Sequence, residues 1–247
     1  MKNEKALKLF GEWAERETIL LSCLDGTMGE IAGTSESAAA VLGDFAFFAG
    51  KPDMKLAEKV ASEREFFIAV PQNADWESCI ENAFGDRAKK VVRYAFCKNT
   101  PFDREKLEKF AADVPEGFTV RRIGEKLYRL CAEGDFSHDL VSNFPTFGDY
   151  ENLGIGFAAL TADGTLAAGA SSYSSYDGGI EIEIDTHPDF RRRGLAKCLA
   201  ATLILACLDR GIYPSWDAQN TVSAHLAETL GYAFDREYTA YEVTQRR

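Results

Sequence analysis

The sequence is sparing with the residues that mark the more specialised classes of chain. Three histidines among 247 residues, and six cysteines (Cys23, Cys79, Cys97, Cys131, Cys198 and Cys207) scattered without a CxxC pair or a Cys/His cluster, offer neither a zinc site nor a disulfide framework. The six are expected to be buried or partly buried free thiols, and no metal is expected. No run approaches the roughly 18 apolar residues that cross a bilayer. Seven prolines and twenty glycines are too few for a fibrous or disordered chain. The opening MKNEKALKLFGEWAERE is charged and amphipathic, without the apolar stretch and small-residue cleavage site of a signal peptide, so a cytoplasmic protein made of this whole chain is expected. Both GxGxxG and GxxxxGK(S/T) are missing. Basic blocks are missing too: residues 1–117 carry 16 Lys and Arg against 21 acids, and residues 118–247 carry 12 against 18. Neither half is a nucleic-acid module, and no membrane partner is expected.

What is present is an ordinary globular composition, 46% hydrophobic and 27% charged with a formal net charge of -11, long enough for one or two domains around a real core. The charge is unevenly placed. Between Arg129 and Arg191 there is no Lys or Arg but there are eleven acids, and then Arg191, Arg192 and Arg193 arrive together. An acidic field followed by a cationic knot suggests a cationic ligand on one side and an anion at the knot; the plainer alternative is that most of these acids are solvated surface.

The first half reads as mixed α/β. A helix is expected from Asn3 to about Leu21, strands over 44–50, 65–70 and 90–97, and helices over 75–84 and 103–112. Val114-Pro-Glu-Gly117 is the strongest breaker and the expected boundary, giving an N-terminal α/β domain over 1–117 and a second domain over 118–247. In the second half the expected order is a strand at 118–123, helices at 124–132 and 137–143, an aromatic loop at 144–152, then strands at 154–161 and 165–173 joined by Ala162-Asp163-Gly164. Residues 179–186 alternate strictly, with Ile180, Ile182 and Ile184 on one face and Glu181, Glu183 and Asp185 on the other. A buried helix over 192–210, a strand at 212–217, a helix at 221–230 stopped by Gly231, and one or two strands within 232–243 complete the chain.

Chemistry concentrates in IEIEIDTHPDFRRRGLAKCLAATLILACL, a strand, a turn and a helix. A helix N-terminus presents unpaired N–H groups and partial positive charge, which suits phosphate. Gly194 lets a diphosphate approach the backbone, Ala196 keeps the next turn small, and Arg191, Arg192 and Arg193 add charge there. A capped surface turn explains a glycine after three arginines equally well.

Arg191-Arg192-Arg193-Gly194-Leu195-Ala196 resembles the (Arg/Gln)-x-x-Gly-x-(Gly/Ala) motif of the GNAT acyl-CoA-dependent N-acetyltransferases, and it follows a strand ending in His187-Pro188. The run from Asn220 through Ser223 and Leu226 to Leu230-Gly231-Tyr232 is similar to that family's second motif. The resemblance covers about 118–247. The segments 181–186 and 214–218 look further like the zwittermicin-resistance-type subgroup, whose members carry a comparable N-terminal extension.

The resemblance implies a GNAT α+β fold: a mixed, mostly antiparallel sheet flanked by helices, preceded here by a smaller α/β domain. It implies that strands 179–186 and 212–217 splay apart. Backbone amides around Ile184, Asp185 and Thr186 are then expected to hold the pantetheine arm of acetyl-CoA, those of Arg192 to Ala196 its pyrophosphate, and Asn220, with Ser223 in the same motif, the arm near the thioester. The implied reaction is direct attack of a small amine, favoured as cationic by the acidic field, on the acetyl carbonyl.

Glu183 is the first candidate base and Asp217 the second, against the plain reading that the acids of 179–186 are a polar strand face. His187 and His225 are weaker, and Trp216 reads as core. Where many relatives place a thiolate-protonating Tyr, this chain has Ala227; Tyr232, Tyr238 or Tyr241, water, or an unassisted thiolate are the alternatives. The competing reading is a non-catalytic acyl-CoA sensor or interaction module. A homodimer is compatible with the sequence, and an antibiotic-modifying role follows only from the subgroup likeness.

Overall fold

The structure is a computed structural model that describes residues 7–245. Its chain forms two compact units, one running through Tyr94 and resuming at Arg236, the other spanning Ala95–Asp235. The 114–117 breaker lies inside the second unit, between a helix at Arg104–Ala112 and a strand at Phe118–Arg122. The division falls earlier because the last strand of the chain returns to the first unit, where it pairs antiparallel with strand 66–71.

In the first unit the expected helix from Asn3 begins outside the described residues. From Leu7 on it is interrupted: residues 7–10 are helical, Gly11–Glu15 form a 3-10 turn, and a separate helix α1 spans Thr18–Asp25, stopped by left-handed Gly26. Three antiparallel strands follow, β1 (Glu30–Gly33), β2 (Ser37–Leu42) and β3 (Phe45–Gly50). The first two have no counterpart in the sequence expectations. SAAAVL in β2 is buried at every position and so shows no alternation, and alanine is a weak strand former. Helix α2 (Met54–Ser62) leads to β4 (Phe66–Pro71), parallel to β3, and α3 (Ala74–Phe84) leads to β5 (Ala88–Phe96). The closing strand, β12 (Phe234–Thr244), is a single element, and the first six strands of this seven-stranded sheet run β1-β2-β3-β4-β12-β5. Ala39, Val41, Ala46, Phe48 and Phe67 from the sheet meet Leu56, Val60, Trp76, Ile80 and Phe84 from α2 and α3 in one core. Trp76 buries its ring completely, and its Nε1 donates to the Gly50 carbonyl at 2.9 Å, so its one polar group is satisfied.

The second unit contains α4 (Arg104–Ala112), β6 (Phe118–Arg122), α5 (Glu125–Glu133), α6 (Phe147–Leu153), β7 (Gly156–Thr161), β8 (Leu166–Tyr176), β9 (Gly179–Thr186), α7 (Leu195–Asp209), β10 (Tyr213–Ser215), β11 (Asp217–Ala218) and α8 (Thr221–Leu230). Its five-stranded sheet runs β10-β9-β8-β7-β6, antiparallel except where β10 joins β9. This is the mixed, helix-flanked α+β architecture expected.

Four local expectations differ from what forms. The helix expected over 137–143 is a 3-10 turn, His138–Leu140, and the loop expected over 144–152 contains α6. Thr146 and Asp149 close a reciprocal capping box at the start of α6, a local signal outweighed by the aromatics around it. The strand expected over 212–217 breaks at Trp216. Helix α7 starts at Leu195, three residues later than expected, because Arg192 (φ 61°) and Gly194 (φ 88°) are left-handed.

Candidate active site

Burial in β9 changes along the strand rather than from face to face: residues 179–182 are buried and 183–186 half-buried. Glu181 is buried (4% exposed), while Glu183 and Asp185 are half-buried farther along the same face. Burial first, and then the Asp139 carboxylate of the 138–140 turn, push the Asp185 carboxyl up to about 6, against the pull of Arg191. The Cys131 thiol of α5 is raised to about 12 by burial, with Asp185 adding to the shift. Asp185 is thus a half-buried carboxylate poised near neutrality, which suits general-base work. The sequence places Asp185 on the acidic strand face and expects only its amide to bind, because Asp139, which raises its carboxyl, lies 46 positions upstream.

The other edge of β9 is released partway along. β10 pairs with β9 only from Tyr213↔Gly179 to Ser215↔Glu181, and the next strand, Asp217–Ala218, belongs to a different sheet. The His187 N–H donates to the Ala167 carbonyl of β8, and the Tyr213 N–H to the Gly178 carbonyl. Antiparallel parity then directs the main chain of Glu183 and Asp185 toward β8, and that of Ile184 and Thr186 toward the released edge. At that edge the Ile184 N–H donates to Glu183 Oε1 at 3.0 Å, and Arg191 Nε donates to the Thr186 carbonyl at 3.2 Å. Ile184 and Thr186 thus stand where an added strand could pair, whereas the main chain of Asp185 is occupied with β8.

The connection from β9 to α7 is held from below. His187 Nδ1 accepts from the Asp189 N–H at 3.3 Å, and its ring packs edge-on against Phe136. Phe190 packs on Phe118, with the Arg193 guanidinium over its ring. Above this support Arg191, Arg192, Arg193 and Gly194 are exposed, and Arg192 forms no ion pair among the described residues. Gly194 is the N-cap of α7 and has no side chain to cap with, and the first turn, which includes Leu195 and Ala196, contains no acid. A Cβ at Gly194 would meet nothing closer than Pro115 Cγ at 4.0 Å, so the space in front of the helix end is open. Free N–H groups and the helix dipole suit this end of α7 as a cradle for an anion, with three exposed arginines just before it, of which Arg191 reaches the Thr186 carbonyl and Arg193 the Asp189 carbonyl.

The remaining candidates have structural partners. Asn220 caps α8, its Oδ1 accepting from the Ser223 N–H at 2.9 Å, and Ser223 Oγ accepts from Trp216 Nε1 at 3.2 Å. The carboxamide nitrogen of Asn220 takes no part in the cap. Trp216 is core, against Tyr232. Asp217 is half-buried in β11, and His225 is exposed on α8. Ala227 is fully buried, and Tyr232, also buried, donates to the Pro214 carbonyl at 2.6 Å, with burial holding its phenol well above its usual range. Tyr241, in the first unit, donates to Glu81, and Tyr238 belongs to that unit too. Among the described residues no group of His, Cys, Asp and Glu could hold a metal, and no helix is long and apolar enough to cross a membrane.

A mixed sheet, a released strand edge and an arginine-flanked helix start together form the layout of an acyl-group transferase. The sequence profile of the GNAT acetyltransferase family matches residues 7–241, and the chain belongs to that family as an N-acetyltransferase of the GNAT type. It is similar to the "Uncharacterized N-acetyltransferase YdfB" of Bacillus subtilis (strain 168), 28% identical over 193 residues, covering 74% of this chain and 68% of the relative. A GCN5-related N-acetyltransferase-like protein from Streptococcus suis 89/1591 superposes with a TM-score of 0.93 at 45% identity over 98% of each chain. A GCN5-related N-acetyltransferase from Kribbella flavida, 14% identical with a TM-score of 0.59 over 90% of this chain and 91% of that one, shares the fold.

Proposed function

We propose that the chain transfers an acetyl group from acetyl-CoA to the amine of a small, cationic acceptor. The observation that carries this reading is the uncapped start of α7 among three arginines, at the end of a strand whose edge is released beside an acidic face. The amides of Leu195 and Ala196 and the guanidinium groups of Arg191 to Arg193 suit the coenzyme diphosphate. The Ile184–Thr186 edge suits the pantetheine arm as an added strand. An arm pairing there takes the Ile184 N–H from the Glu183 carboxylate, which turns that side chain toward the acceptor.

Glu183 and Asp185 hold the acceptor ammonium, and one of them removes its proton directly or through water; Asp217 is the second candidate. The amine nitrogen then attacks the thioester carbonyl carbon, the developing oxyanion is steadied by a strand N–H, the C–N bond forms and the C–S bond breaks. With Ala227 in α8 and Tyr232 bonded to Pro214, the thiolate leaves to water, which a thiol of ordinary pKa tolerates. The deciding experiment is acetyl-CoA-dependent thiol release with a panel of diamines, amino sugars and neutral amines. Release with the cationic amines supports the proposal, and no acetyl-CoA binding by calorimetry refutes it. Ala227 favours one other reading, a coenzyme sensor, which binds acetyl-CoA with no turnover on any amine.

A further inference from the structure

The first unit repeats the order of elements in the part of the second that carries the cradle, apart from the two-residue β11, which lies between β10 and α8 and has no counterpart in the first. In each a helix precedes three antiparallel strands, then a helix, a strand parallel to the third, and another helix: α1, β1-β2-β3, α2, β4, α3 against α6, β7-β8-β9, α7, β10, α8. The last helix starts the same way in both. Gln72-Asn73 precedes α3 and Gln219-Asn220 precedes α8, and each asparagine Oδ1 caps the N–H three residues on, that of Trp76 at 3.1 Å and that of Ser223 at 2.9 Å.

The two copies differ at the two places a coenzyme needs. The connection from third strand to helix is residues 187–194 in the second unit and only residues 51–53 in the first. In place of an open glycine the first has Asp53, whose carboxylate accepts from the Lys55 and Leu56 N–H groups at 2.9 and 3.4 Å. A carboxylate of the chain itself thus sits where a phosphate would, and Lys51 is the one cation in that connection. The strands also part by different lengths: the β3/β4 register runs from Phe45↔Ile68 to Phe48↔Pro71 and leaves two residues of β3 beyond it, whereas the β9/β10 register ends at Glu181↔Ser215 and leaves five residues of β9 beyond it. The cavity of about 400 Å³ that the first unit keeps opens among Trp13, Arg16, Gln72 and Tyr238, and no β3 residue lines it.

We infer that the first unit is a second copy of the transferase fold whose coenzyme site has been closed from within, so that each chain holds two copies of the fold and one working site. This rests on the proposed coenzyme site at α7. The test is calorimetric titration of the full chain with CoA. One CoA is expected per chain, with none bound by Gly194→Glu, which places a carboxylate before α7 as Asp53 does before α2. Because any side chain at Gly194 is strained by its φ, Arg192→Asp/Arg193→Asp serves as the second variant, with a residue tolerant of the left-handed region at 192; at least a tenfold loss of affinity at unchanged stoichiometry is expected. Two CoA per chain, or one full-affinity CoA surviving in both variants, overturns the inference. No CoA bound by the unaltered chain would instead sink the proposed coenzyme site.

Discussion

Replacing Asp185 by Asn should make the protein more stable at neutral pH and slower as an enzyme. The carboxyl is raised from 3.8 to about 6 by burial and by Asp139, so the folded chain holds this proton more tightly than the unfolded chain does. The stabilisation from protonation is complete below about pH 4, is lost as pH rises through 6, and is absent above that. A shift of about two pKa units corresponds to roughly 3 kcal/mol, the cost of the buried negative charge at pH 7.5. Asn, which mimics the protonated acid in shape, should recover about 3 kcal/mol at pH 7.5 and only about 1 kcal/mol at pH 4.5, where most of the folded protein already carries the proton. Urea unfolding of both proteins at the two pH values measures this directly, because the difference between variants cancels every other carboxylate. A gain that does not shrink toward pH 4.5, or no gain at pH 7.5, refutes the reasoning. A stabilising substitution that lowers turnover would mark Asp185 as a group kept for chemistry at the expense of the fold.

Glu183→Gln should lower kcat by roughly a hundredfold or more while leaving acetyl-CoA affinity within about threefold, as loss of a general base does; equal turnover would remove Glu183 from the reaction. Arg192→Asp should weaken CoA binding and flatten its dependence on salt, since one exposed guanidinium near the diphosphate is lost, and titrations at 50 and 300 mM salt check this. Thr146→Ala breaks the capping box of α6 and should cost about 1 kcal/mol in urea unfolding without altering CoA affinity. Trp76→Ala should cost about 3–5 kcal/mol, because the ring is fully buried and its removal leaves a cavity and an unpaired Gly50 carbonyl.

The parts of the molecule legible in the sequence are those written in short-range pattern. The strand at 179–186, the helix that begins beside Gly194 and the stop at Gly231 are local features that form close to where the sequence places them. What escaped depends on distant partners. The alternation places the Asp185 side chain on the acidic face of the strand, but nothing near it in sequence announces that burial and Asp139 raise its carboxyl. The unit boundary escaped for the same reason: a breaker at 114–117 is visible, but the return of 234–244 to pair with β4 is a long-range event. β2 escaped because a strand covered on both faces loses the alternation by which strands are recognised.

The same contrast accounts for the duplicated fold. The sheet pairing of the two copies repeats with little in common at the level of residues, since packing tolerates substitution wherever volume and polarity are kept. Functional geometry is less forgiving. A diphosphate needs a helix end without a cap and a connection long enough to wrap it, and an acyl arm needs two strands that part. The first unit lacks both in the way that favours its own stability, with a capping aspartate, a short turn and a third strand that outruns its parallel partner by only two residues. The second keeps an uncapped helix, a released strand edge and a half-buried acid near its titration point, none of which stabilises the fold. Two copies of one topology thus separate what folding asks of the chain from what acyl transfer asks of it, and the residues that differ at these points are the ones on which the proposed chemistry depends.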